Sequence, residues 1–353
     1  MAHGRRGLRS PLRSRPVTPG GSSGQEPGFW ERTWKSMTLP AALGLVGTLV
    51  AIAGGGYSLW RNVWGEPIRR CEAVRAALVD PAKGLQNVTG PFADSVLSCA
   101  QGSRAQSLFV AVTEMVRSKA PYTPGSPCTS AGPNAPRDSV IASAGLQRAI
   151  GLLGRLAKRA GSPVELQRTD LRHAAFGPDT IDLVNLDGSC LAGARFHRTQ
   201  LEGSSFRHAV LSEATFSEVR LAGAVFDSAS GDWAAFTEST LHGARFTGAR
   251  LPNVRFVESD LSCTTFDGNV VLDGADFSSA RLPWSYLRGA SLRNVRFWRS
   301  IPDSGLQNTL LVEQRGLPPD VVQWSATRGA VVGPQPEDWL DRRALQCPDR
   351  AQR

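Results

Sequence analysis

Hydrophobic residues recur at every fifth position from Leu166 to Val271. Of 22 such positions, all but Gly231 are Leu, Phe, Ile or Val. The residue two before each is Ala, Ser, Thr or Val in 20 of the 22, the exceptions being Asp179 and Asn269. Neither the 3.6-residue period of an α-helix nor the two-residue period of a strand gives this spacing. After Val271 the register slips by one residue and resumes at Leu272, Phe277, Leu282, Leu287, Leu292 and Phe297. A repeat of this length takes precedence over local propensity in assigning the fold.

The units "AGARF", "EGSSF", "HGARF", "DGADF" and "RGASL" share a small residue, a central Leu or Phe and a nearby Gly. In these units the chain resembles the pentapeptide-repeat family over residues 164–298. The resemblance implies a β fold, a right-handed quadrilateral β-helix with four pentapeptides per coil. The physical reading agrees: each unit makes one wall and a corner, with its central residue inward and its small residue also fitting inside. Coils of 20 residues stacking at about 4.8 Å give about 7 coils and a rod of roughly 30 Å.

Twenty-residue stacking sorts the central residues into four columns. One holds Phe176, Phe196, Phe216, Phe236 and Phe256; the wall opposite holds Leu186, Phe206, Phe226, Phe246 and Phe266. The remaining two hold Ile181, Leu201, Leu221, Leu241 and Leu261, and Leu191, Leu211, Gly231, Leu251 and Val271. Two facing Phe ladders crossed by two aliphatic ladders meet a packing requirement and do not suggest a cofactor site. Gly231 is expected to leave a hole in its ladder, filled by Trp233 or by a bulging loop. The slip between Val271 and Leu272 is expected to be a one-residue bulge.

Outside the repeat the pattern changes. Residues 1–35 form a basic tail rich in Arg, Pro, Gly and Ser, expected to be disordered. Residues 36–60 contain no charged residue and are flanked by Trp30, Trp34, Trp60 and Trp64. Such a run suits a single transmembrane helix, since a bilayer core of about 30 Å needs roughly 20 apolar residues. Basic residues lie on both sides of it, which leaves its orientation open. Residues 61–120 read as helical with a break at "DPAKGLQNVTGP", and residues 121–137 as a Pro/Gly/Ser linker. Residues 138–162 read as a helix capping the first coil, with Asp138 at its N-cap and Gly161 and Pro163 ending it. Residues 163–300 make the β-helix. Residues 301–333 read as a helical C-terminal cap and 334–353 as a polar tail.

Charge and chemistry narrow the function. The net charge of +9 is uneven: residues 163–300 sum to −2, and the basic excess lies upstream. This is not a nucleic-acid-binding rod, and no nucleic-acid partner is expected. The six cysteines, Cys71, Cys99, Cys128, Cys190, Cys263 and Cys347, lack zinc spacing; they are either three disulfides or six thiols. The sequence carries no phosphate loop, no nucleophile elbow and no His-Glu-x-x-His motif. His173, His197, His208 and His242 fall just after central positions and do not recur 20 apart. No catalytic residue, cofactor or metal is therefore expected. The leading expectation is a membrane-anchored scaffold for an unknown protein partner. The family resemblance also implies an alternative, since some soluble members mimic DNA and protect DNA gyrase, but those rods are strongly acidic. A third expectation is an extracytoplasmic sensing module within residues 66–137.

Overall fold

The computed structural model describes residues 66–80, 88–129, 144–178, 183–296 and 301–347. The chain divides into two units, Met1–Glu66 and Pro67–Arg353, and the coils and the helices packed on them belong to the second. The basic tail and the transmembrane segment expected at 36–60 lie outside the described residues. Among the described residues no helix is long and apolar enough to cross a membrane.

Among the described residues four helices precede the coils: α1 (Glu66–Val79), α2 (Gly90–Cys99), α3 (Ser103–Lys119) and α4 (Ala144–Ala160). Thr89 starts α2, its Oγ1 accepting from the Phe92 N–H at 3.4 Å, with proline in the first turn. Helix α4 carries a strong apolar stripe: Ala149, Ile150, Leu152, Leu153 and Leu156 are each 0% exposed. One side of it packs on α2 and α3 and the other on the first coil. The expected N-cap Asp138 lies outside the described residues. Residues 121–129 do not act as a free linker. Pro121 bridges Thr169 in antiparallel fashion, the Tyr122 N–H donates to the Arg168 carbonyl at 2.7 Å, and the Asp170 N–H donates to the Ala120 carbonyl at 2.7 Å. This strap covers one edge of the first coil, which would otherwise be open to pairing with another chain.

The coils are built from very short parallel strands. These are β1 (Val164–Glu165), β2 (Ala175–Phe176), β3 (Val184–Asn185), β4 (Arg195–His197), β5 (Thr215–Ser217), β6 (Ala235–Thr237) and β7 (Arg255–Val257). The longest sheet runs β2-β4-β5-β6-β7, with Phe176 opposite Phe196, then Phe216, Phe236 and Phe256. At the corners the central carbonyl accepts from the N–H three residues on, as Leu191 does from Ala194 at 2.9 Å. The residue between them turns left-handed, as at Gly193 (φ 66°), Glu213 (φ 58°) and His173 (φ 57°). That is a type II turn, which requires positive φ at its third position.

The nine ladder phenylalanines from Phe176 to Phe266, and Leu191, Leu201, Leu211, Leu221, Leu241, Leu251 and Leu261, are each at most 1% exposed. Phe196 stacks on Phe216 at 4.6 Å, and Phe206 on Phe226 at 4.7 Å. The two ladders meet edge to face, Phe206 and Phe216 at 5.8 Å and 83°. Both arrangements suit the ring quadrupole.

Three readings of the repeat need correction. Val271 is not in the core: it is half-buried and bridges Arg250, while Leu272 is 0% exposed beneath it. The extra residue lies in "DGNV", where Gly268 and Asn269 both have positive φ (67° and 61°). Gly231 leaves no hole for Trp233, which is 51% exposed. Instead, the Gly231 backbone closes on the coil below: a Cβ there would lie 2.4 Å from the Ser212 nitrogen. The ladder stays in register through Ser230, which bridges both Val210 and Arg250, so no loop bulges out.

The repeat also does not end at Phe297, which lies outside the described residues. Tyr286 bridges Leu310 and Ser291 bridges Arg315, while Leu306, Leu310 and Leu311 are buried. This last coil brings the solenoid to about eight turns. A 3₁₀ turn (Asp303–Leu306) and β8 (Leu310–Leu311) belong to it, and β8 pairs with β9 (Val331–Val332). Among the described residues α5 (Pro319–Ala326) is the helix that caps the end, with Val321, Val322 and Trp324 on the core. The expected polar tail contains α6 (Trp339–Gln346), which docks on the rod through Trp339, 0% exposed. All six cysteines are paired, as Cys71–Cys99, Cys128–Cys190 and Cys263–Cys347.

Candidate interaction surface

Because the central and small residues point inward, any function falls to the residues flanking them on the walls and corners. On the wall of Leu186 and Phe206, the outward residues form a charge ladder. Asp187 accepts from Ser205 Oγ at 2.5 Å and from the Arg207 N–H at 2.8 Å. Arg207 lies 3.9 Å from both Asp187 and Asp227, and Asp227 also takes Arg245 Nε at 2.9 Å. The Asp227 carboxylate accepts the Thr247 N–H at 3.2 Å, and on the wall of Leu251 and Leu272 Asp273 likewise accepts that of Arg293 at 3.0 Å. The aspartates thus satisfy backbone donors one coil on. Their role is in holding the wall together, and it leaves them unsuited to acid–base work.

On the neighbouring corner, Arg198 forms a two-pronged pair with Glu218 at 2.8 and 3.1 Å. The hydrogen bond from Arg198 holds the Glu218 carboxyl below the usual carboxylate range. Glu238 and Glu258 continue that column, both exposed. His173 is half-buried, and burial together with Arg195 and Arg172 pushes its pKa down. His197, His208 and His242 stand on different walls. Among the described residues no group of three or more His, Cys, Asp or Glu is placed to hold a metal. Arg245, Arg250 and Arg255 fall on three successive walls and make no common patch. Trp233 stands out from its corner, with Arg296 6.0 Å from its ring centre.

The C-terminal helix covers part of this surface, which the repeat pattern alone does not show. Arg343 donates to the carbonyls of Trp284 (3.0 Å) and Cys263 (2.6 Å) and to Thr265 Oγ1 (2.9 Å). Trp339 Nε1 donates to the Asn308 carbonyl at 3.0 Å, and the Trp339 ring lies against Trp284 and Tyr286. The sequence signal was available: a Trp and a Cys within a segment otherwise polar.

Residues 199–277 match the family model described as a pentapeptide repeat region, and residues 268–294 the one described as pentapeptide repeats (8 copies). Residues 199–294 are pentapeptide repeats. No curated protein matches the chain. Among solved structures, the chain is similar to trypsin-treated QnrB1, a plasmid-mediated fluoroquinolone resistance protein. That match has 19% identity over 49% of this chain and 80% of that one, with a TM-score of 0.29. It is similar to Rfr23, a pentapeptide repeat protein from the cyanobacterium Cyanothece 51142, at 17% identity over 31% and 85% of the two chains, TM-score 0.25. HetL, from Nostoc sp. strain PCC 7120 and involved in heterocyst differentiation regulation, matches at 20% identity over 45% and 77%, TM-score 0.22.

Proposed function

We propose that the chain is a non-catalytic scaffold that presents a rigid β-helix to a protein partner and is tethered to a membrane through residues 36–60. The observation that carries this reading is the filled interior. Among the described residues from Val164 to Leu311 the inward positions are filled by packed side chains, or at Gly231 by backbone, so recognition falls to the outer walls. Those walls hold their side chains on a regular 20-residue grid, a geometry suited to an extended protein contact. Photo-crosslinking residues placed at exposed positions on each of the four walls, such as Thr215, Arg220, Arg245 and Arg250, test it in intact membranes. One discrete adduct confined to one wall supports the scaffold; no adduct from any wall overturns it.

The three disulfides favour a further element of this reading, in which residues 66–347 lie in an oxidising compartment. Such pairs persist outside the reducing cytosol. A C-terminal alkaline phosphatase fusion then is active, and all six cysteines resist alkylation until reduced. An inactive fusion with reactive thiols places the domain on the other side. The similarity to a fluoroquinolone resistance protein raises DNA mimicry as an alternative, but a rod summing to −2 over residues 163–300 lacks the required field. Relief of fluoroquinolone inhibition of gyrase by this protein would reinstate that alternative.

A further inference from the structure

A cleft of about 760 Å³ opens where α3, the strap and the first coils meet. It falls within the range of small-molecule sites, roughly 300–1,000 Å³. Arg117, from the last turn of α3, lines it together with Arg168 and His208. The strap supplies Pro124 and is fixed at both ends, by the Pro121–Thr169 bridge and the Cys128–Cys190 disulfide.

The Arg168 backbone is held on both sides. Its carbonyl accepts from Tyr122 at 2.7 Å, and its N–H donates to the Asp187 carbonyl at 2.9 Å. Its left-handed φ of 53° sets the side chain at the corner of the coil. The next coil puts Gly188 at the same corner, and the coil after that puts His208 there, about 10 Å from Arg168 at two coil spacings. Gly188 is buried, and a Cβ on it would touch Arg168 Cγ at 3.6 Å and Pro124 Cγ at 3.8 Å.

The carboxylates of the cleft are already engaged. Asp187 is engaged within the rod by Ser205, the Arg207 N–H and, at 3.9 Å, the Arg207 guanidinium. Glu165 accepts from Gln167 Nε2. Among the described residues Arg117 pairs only with the exposed Glu114 at 3.8 Å, a pair of little strength. Among the described residues, none pairs with the Arg168 guanidinium. The lining thus carries two guanidiniums and one imidazole beside two carboxylates, and both carboxylates already accept hydrogen bonds within the rod.

We propose that this cleft binds a small organic anion through its carboxylates, with Arg168 and Arg117 as the two anchors. Guanidinium forks match carboxylates in two-pronged geometry, and charge-assisted hydrogen bonds of this kind are the strong ones. The site is independent of the scaffold reading, which concerns the outer walls.

Calorimetric titration of the full chain with citrate tests it, with inorganic phosphate as a second arm. Citrate is expected to bind in the submillimolar range, and Arg168→Gln and Arg117→Gln are each expected to weaken it by about tenfold or more. Arg220→Gln, on a different wall, leaves the affinity unchanged. Both anchor positions are at the surface, and two separate variants guard against a folding defect in either one. Absence of citrate binding at 10 mM (roughly the limit of useful affinity), an equal loss in Arg220→Gln, or binding of phosphate but not citrate overturns the proposal.

Discussion

The side-chain amide of Gln147 pairs with both backbone groups of Ala175. Its Oε1 accepts the Ala175 N–H at 2.9 Å, and its Nε2 donates to the Ala175 carbonyl. Ala175 begins β2, the first strand of the longest sheet, which has no preceding coil to pair with. Helix α4 therefore supplies one amide in place of a missing strand residue and buries an apolar stripe beside it. Gln147→Leu keeps the size and removes both partners. A loss of about 1–3 kcal/mol is expected, the cost of an unsatisfied polar group. Urea unfolding measures it, and faster amide exchange at Ala175 shows where the loss occurs.

Gly231 and Gly243 make a matched pair for one substitution. Both have positive φ, 147° and 67°. A Cβ at Gly243 meets nothing within 4 Å, whereas one at Gly231 lies 2.4 Å from the Ser212 nitrogen and 2.6 Å from the Leu211 carbonyl carbon. Gly243→Ala is expected to cost about 1–2 kcal/mol, the left-handed penalty alone. Gly231→Ala meets backbone that cannot rotate away, and a loss above about 3 kcal/mol is expected. Equal melting shifts for the two variants would contradict the close approach.

The solenoid was legible because its inward residues must repeat, and Leu, Phe and small residues at fixed spacing leave few other folds. Irregularities were less legible. Val271 and Leu272 are both apolar, and only the backbone pairing shows that Val271 faces outward. Gly231 read as a hole because a missing side chain in a ladder suggests a void, whereas the chain moved inward instead. After Phe297 the spacing breaks, yet Leu306 and Leu311 still close a coil, because backbone pairing tolerates an insertion that a sequence register does not. The cleft around Arg168 was not visible at all. It depends on residues 117, 124, 168 and 208 meeting through the strap, and no periodicity encodes that. The three disulfide pairings were likewise open, since spacing alone does not pick partners.

His173 gives the fold a pH dependence with a definite sign. Burial, then Arg195 and Arg172, lowers its folded pKa from 6.5. The unfolded chain therefore binds the proton more readily than the folded one. The stabilising contribution of neutral His173 is present above about pH 6.5 and is lost as pH falls below it, toward the folded pKa. His173→Gln is expected to flatten the change in urea midpoint between about pH 7.5 and 5.5, a window that spans the usual histidine pKa. An unchanged slope would show that other groups dominate there.

Helix α6 is held by two independent ties, and they separate by experiment. Cys263–Cys347 is the covalent one, closing a loop 84 residues long. The other is the Arg343 fork on Trp284, Cys263 and Thr265, together with buried Trp339. Cys347→Ser removes the covalent tie, and a stability loss of about 2–4 kcal/mol is expected from the freed loop. The helix should nevertheless stay docked, since a buried Trp contributes about 3–5 kcal/mol relative to Ala. Trp339→Ala with the disulfide intact undocks the helix but keeps it tethered, so trypsin then cuts at Arg342 or Arg343 while the coils stay folded. The double change releases residues 339–347 entirely. Resistance of Trp339→Ala to trypsin at these two sites would show that the disulfide and the Arg343 fork hold the helix without the buried ring.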